Sequence, residues 1–125
     1  MAKKVFNIDS FPQGYYMSWF VTTQAAFAIT VSLSDSSGTY FSATKQSENI
    51  NPPLALGAST VNGASLILTV NIPESPQILN GINSSNITRA DGSTVGFAFN
   101  FSFEGSHDND FNDANISLVA WKTKG

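Results

Sequence analysis

Apolar residues recur at every second position along much of this chain. Phe27, Ile29, Val31 and Leu33 alternate with Ala28, Thr30, Ser32 and Ser34 until Asp35-Ser36-Ser37-Gly38 breaks the pattern. Leu66, Leu68, Val70 and Ile72 alternate with Ile67, Thr69 and Asn71, and Pro73 closes the run. The longest stripe is Val95, Phe97, Phe99, Phe101 and Phe103, set against Gly96, Ala98, Asn100 and Ser102. A period of two turns one set of side chains to a core and the other to water, which predicts half-buried strands. The aromatic and β-branched stretch 15–27 and the segment 114–121 read as strands as well. Asn62-Gly63 and Ala90-Asp91-Gly92 supply turn chemistry between runs. No window has the spacing of an amphipathic helix. Residues 45–60, with Pro52-Pro53, and 73–90 read as the longer connections. Strands separated by turns about every ten residues predict one all-β domain over 1–125, an antiparallel β-sandwich of about eight or nine strands.

Composition narrows the functions open to such a domain. Charged residues make up 12% of the 125 positions, about half the usual fraction. Six Lys and Arg against nine Asp and Glu leave no basic footprint for nucleic acid. No apolar run approaches the roughly 18 residues of a membrane span. The opening Met-Ala-Lys-Lys-Val-Phe-Asn-Ile-Asp lacks the apolar segment of a secretory signal. The expectation is a cytoplasmic pool, with release to act extracellularly by another route. Zero cysteines exclude disulfides and thiolate metal sites, and the single histidine, His107, excludes multi-histidine sites. Sequons at Asn83, Asn86, Asn100 and Asn115 are read as products of a Ser/Asn-rich composition. With little charge, the surface must be covered by Ser, Thr, Asn and Gln, which suits hydroxyl-rich ligands or self-association. The uncharged last strand suggests pairing between subunits, as a homodimer or homotetramer.

Charge gathers in one place. Glu104-Gly105-Ser106-His107-Asp108-Asn109-Asp110-Phe111-Asn112-Asp113 holds four of the nine acidic residues between two apolar strands. Such carboxylates repel by about 1 kcal/mol or more per close pair where the dielectric is reduced. Hard divalent cations offset that repulsion, and oxygen ligands without Cys or His favour calcium. An EF-hand is excluded. Counting from Asp108, the sixth position is Asp113 rather than Gly, the twelfth is Val119 rather than Glu, and a strand follows where a helix is required. Four negative charges balance two calcium ions. Paired carboxylates could also signal a glycosidase, but nothing in the sequence sets one carboxylate apart from another, and the reading is of a protein that is not an enzyme.

In this segment the chain resembles the LecB-type bacterial lectins, calcium-dependent binders of fucose and mannose. Their motif is Glu, three spacers, Asp-Asn-Asp-aromatic-Asn-Asp-Ala, then a strand with Trp near its end. Glu104, Asp108, Asn109, Asp110, Phe111, Asn112, Asp113, Ala114 and Trp121 match it without a gap. The resemblance implies two adjacent calcium ions whose coordination is completed by sugar hydroxyls. It implies Glu104, Asp108, Asp110 and Asp113 around one ion, and Asp110, Asn112 and Asp113 around the other. A shorter match at Phe20-Val21-Thr22-Thr23-Gln24-Ala25 implies a calcium-binding carbonyl at Thr22, with Thr23 and Gln24 at the sugar. Asp108 and Asp113 would contact the sugar as well as the metal.

Two departures qualify what the resemblance implies. The family carries an acidic sugar contact directly after the Glu, where this chain has Gly105, which offers only backbone. The family also ends in a Gly whose carboxylate reaches a neighbouring subunit's calcium. Gly125 stands in that place, on a tail two residues longer. The function expected is calcium-mediated binding of fucose- or mannose-containing glycans. The alternative is a calcium-stabilised structural or self-assembling sandwich that binds no sugar.

Overall fold

The computed structural model describes residues 2–105 and 110–125. Nine strands are present among them: β1 (Ala2–Asn7), β2 (Tyr16–Thr23), β3 (Ala25–Asp35), β4 (Gly38–Ser47), β5 (Ala55–Thr60), β6 (Ile67–Ile72), β7 (Leu79–Thr88), β8 (Thr94–Glu104) and β9 (Ala114–Trp121). They form two antiparallel sheets, one ordered β1-β6-β3-β4 and the other β5-β2-β9-β8-β7. No helix among the described residues is long and apolar enough to cross a membrane.

The alternating stripes become the two inner faces. Ile29, Val31 and Leu33 of β3 and Leu68, Val70 and Ile72 of β6 are wholly buried. They meet Met17, Trp19 and Val21 of β2, Phe101 and Phe103 of β8, and Ile116, Leu118 and Ala120 of β9. Each such side chain contributes about 1.5–3 kcal/mol by leaving water. The β8 phenylalanines lie nearly parallel, Phe99 to Phe101 at 5.9 Å and Phe101 to Phe103 at 6.1 Å between ring centres. Phe6 of β1 crosses the sandwich to close on Phe101 at 5.0 Å. Trp19 stacks on Phe41 of β4 at 5.4 Å and lies over Gly57, where a Cβ would come within 2.7 Å of the indole. Glycine at 57 is therefore required by the tryptophan across the ladder.

Several sequence expectations are corrected. The stretch 15–27 is two strands, because the chain passes from one sheet to the other at Gln24. The supposed connections 45–60 and 73–90 contain the end of β4 and all of β5, and all of β7. All four sequons therefore fall on strands. Asn62-Gly63 lies on a crossover between sheets rather than in a hairpin. Strand β9 is no edge: β2 and β8 pair with it on either side, so subunits cannot associate through its backbone.

Candidate metal and ligand site

The antiparallel ladder of β8 and β9 brings Phe103 opposite Ala114, so the two ends of the acidic segment meet at one end of the sandwich. Its two ends are buried: Glu104 is 1% exposed and Asp113 4%. The Gly105 amide donates to Asp113 Oδ2 at 2.7 Å, and the Phe111 amide donates to Glu104 Oε1 at 3.0 Å. Phe111 has φ 55°, a left-handed backbone that side-chain-bearing residues rarely adopt. It turns the chain between Asp110 and Asn112, whose amide donates to Asp110 Oδ1 at 3.4 Å.

Glu104, Asp110 and Asp113 each offer a carboxylate oxygen within 4.8 Å of the others'. Oxygen ligands on opposite sides of one calcium ion stand about 4.6–5.2 Å apart, twice the usual bond length. The spacing and the all-oxygen donor set thus fit a hard divalent cation. Buried carboxylates so close together carry a repulsion that such an ion would relieve.

Beside this group opens a cleft of about 400 Å³. It is lined by Asp110, Asn112 and Asp113 of the acidic segment, by Gln24 to Phe27, and by Glu48. The β2–β3 crossover is held against the loop where the Gln24 amide donates to the Asp113 carbonyl at 3.0 Å. A bulge follows: Ala25 pairs with Ser47, but Ile29 pairs with Lys45, so three residues of β3 stand against one of β4. Bulges re-aim side chains beside binding sites, and this one places Ala26 and Phe27 on the cleft.

The remaining candidates are distributed unevenly. Thr22 pairs with Asn115 and is half-buried. Thr23 is 1% exposed, and its buried hydroxyl has no hydrogen-bond partner among the described residues. Gly105 is buried, and its carbonyl accepts from Ser75 Oγ at 2.6 Å. A Cβ there would lie 2.8 Å from that oxygen, 3.0 Å from Ile72 Cδ1 and 3.2 Å from Phe27 Cε2. Gly125 follows the opposite end of β9 from the loop, so it cannot join its own chain's acidic group. Asp108, Asn109 and His107 lie outside the described residues. Glu48, Ala26 and Phe27 were not expected at the site, since the register of β3 on β4 brings them there.

No protein-family model matches the chain, and no curated protein does. Solved structures do match. A high-affinity mannose-binding lectin of Ralstonia solanacearum superposes with TM-score 0.65 at 16% identity, over 92% of this chain and 93% of that one. The lectin CV2L of Chromobacterium violaceum, solved in complex with alpha-methyl-fucoside, gives 0.63 at 16% over 92% and 93%. The C-terminal domain of the lectin BC2L-C of Burkholderia cenocepacia gives 0.67 at 16% over 92% of each. The chain has the fold of these bacterial lectins. At such low identity the likeness establishes the sandwich and its topology, and the site stands on its own geometry.

Proposed function

We propose that this protein is a calcium-dependent carbohydrate-binding lectin whose site is the cleft beside the 104–113 loop. The observation that carries this is the meeting of two buried carboxylates and a third, exposed one within 4.8 Å at the wall of a cleft open to solvent. Glu104, Asp110 and Asp113, with Asn112 and Asp108, are the side chains that would hold two calcium ions; Thr22 and Gly125 are the further ligands, Gly125 from a neighbouring subunit. The ions supply open positions that vicinal sugar hydroxyls fill in place of water. Asp108 and Asp113 accept hydrogen bonds from those hydroxyls, and charged acceptors make such bonds about twice as strong as neutral ones. Gln24 and Thr23 stand where the crossover meets the loop, and the Gly105 amide fixes the Asp113 carboxylate. The mannose-binding and fucoside-bound lectins of the same fold support fucose- or mannose-containing glycans as the ligands.

Association of copies would turn weak single-site binding into avidity. The outer face of the five-stranded sheet supports it. Leu56, Phe20, Ser117 and Asn100 lie in one row, and Ala58, Ser18, Val119 and Ala98 in the next. No Lys, Arg, Asp or Glu interrupts them, and Leu56 is 70% exposed. Sedimentation at micromolar concentration is expected to give a dimer or tetramer, and a monomer would remove the avidity argument.

The deciding experiment is a glycan array run in millimolar calcium and again in excess chelator. Binding to fucosylated or mannosylated glycans that disappears with chelator is the expected result. Silence in both conditions, with calcium still raising the melting temperature, would transfer the loop to the structural alternative, in which the cation only fastens the β8–β9 hairpin.

A further inference from the structure

Among the residues that line the cleft outside the acidic loop, Glu48 is the charged one. We propose that Glu48 receives a hydroxyl of the bound saccharide across the cleft, and that its charge makes the site select neutral over acidic glycans. This inference rests on the carbohydrate reading of the same site.

Strand β4 ends at Ser47, opposite Ala25, so the next residue stands beside the start of β3 and lines the cleft with Asp110, Asn112 and Asp113. The segment that carries it is fastened. Lys45 Nζ donates to the carbonyls of Asn49 at 2.5 Å and Pro52 at 2.6 Å, and the Asn49 amide donates to Ser47 Oγ at 3.1 Å. The Gln46 side chain donates to the Ala26 carbonyl at 2.9 Å, tying β4 to the bulge that floors the cleft. A carboxylate on a braced segment loses less freedom on binding than one on a loose loop.

The four carboxylates of residues 104–113 balance two divalent cations, so a loaded loop is close to neutral. Glu48 is exposed and on another element, so it adds a negative charge to the cleft beyond those of the loop. A carboxylate accepts hydrogen bonds and donates none, so it suits the hydroxyl donors of a neutral sugar. A carboxylate or sulfate on the glycan would meet like charge at the cleft and be disfavoured.

The test compares wild type, Glu48→Gln and Glu48→Ala on an array carrying neutral fucosylated and mannosylated chains beside sialylated and sulfated ones. Each protein is applied as a dilution series in millimolar calcium, and its calcium-dependent melting shift is recorded. For Glu48→Ala, apparent affinity for the neutral glycans is expected to fall about tenfold. Glu48→Gln should fall less and admit acidic glycans that wild type refuses, and both variants should keep the wild-type melting shift. Unchanged neutral binding and unchanged rejection of acidic glycans would overturn the inference while leaving the lectin reading intact. Loss of the melting shift would also overturn it, making Glu48 a metal ligand. A wild type silent on every glycan would overturn the lectin reading itself, and this inference with it.

Discussion

At one end of β3 a single carboxylate is held by neutral donors, and near the other end three carboxylates crowd together. Asp35 Oδ1 accepts from the Ser37 amide at 2.8 Å and from the Ser37 hydroxyl at 2.5 Å. Its Oδ2 accepts from the Tyr40 hydroxyl and from the Gly63 amide at 3.1 Å. Tyr40 in turn accepts from the Asn62 amide, so one carboxylate pins the β3–β4 turn to the β5–β6 crossover. About 30 Å away along the strand, Glu104, Asp110 and Asp113 share a space 4.8 Å across. The first arrangement is what a carboxylate needs to serve as a structural rivet: one charge and several donors. The second brings like charges together, two of them on buried side chains, a repulsion that a bound cation would relieve. The contrast is between a lone carboxylate that closes a corner and a group of carboxylates whose spacing fits a cation.

The largest expected effect comes from removing the cation. At a hundred times its dissociation constant, calcium would add about 2.7 kcal/mol, which for a domain of this size is a rise on the order of 10 °C in melting temperature. Asp113→Asn should abolish the rise, yet in chelator it should melt no lower than wild type, because one of three neighbouring charges is gone and an amide oxygen can still accept from Gly105. Asp35→Asn should do the reverse, lowering the melting temperature with or without calcium and leaving the rise intact. Differential scanning fluorimetry of the three proteins decides it. A calcium rise that survives in Asp113→Asn would show that the acidic group is not the metal site.

How far the sequence revealed these regions depends on where the partners of each residue lie. The central strands β3, β6, β8 and β9 were legible because each has neighbours on both sides and a covered inner face, which enforces strict alternation. Strands β1, β5 and β7 were not, and each is an edge of its sheet. At the overhang of β7 even inward-side residues such as Ser84 and Asn86 are exposed, so no apolar stripe is needed. The acidic loop was legible because its carboxylates are contiguous in sequence. Glu48 was not, since only the bulged register of β3 on β4 carries it to the cleft, more than fifty residues before the acidic loop. Gly105 was recognised as a missing side chain, but its reason is visible only in space, between Ser75, Ile72 and Phe27.

That packing predicts an effect of intermediate size. Gly105→Asp would drive a Cβ to 2.8 Å from Ser75 Oγ and 3.0 Å from Ile72 Cδ1, so the neighbours must shift. Overpacking of this kind costs about 1–3 kcal/mol, read as a lower midpoint in urea with an unchanged slope. The companion Gly105→Ala should cost nearly as much, because the crowding begins at the Cβ. If both variants unfold at the wild-type midpoint, the segment after Glu104 is not packed as described, and position 105 could accept an acidic side chain after all.

The smallest effect concerns the riveted corner and its response to acid. Burial pushes the Asp35 carboxyl up, but hydrogen bonds from Ser37, Tyr40 and Gly63 together outweigh it and hold the group below its ordinary value of 3.8. A carboxyl with a lowered folded-state pKa adds stability above its unfolded pKa and loses it as pH falls through the folded value. The contribution of Asp35 should therefore be complete at neutral pH and decline below about pH 4. Asp35→Asn never carries the charge, so the gap in melting temperature between it and wild type should be widest near pH 7 and narrow in that acid window. Melting curves from pH 7 to 2.5 in chelator measure the gap with the acidic loop common to both proteins, so its own titration largely cancels in the difference. A gap that stays constant across the range would mean that shape alone, rather than the charge of Asp35, closes the corner, and the contrast between the two ends of β3 would then be one of packing and not of electrostatics.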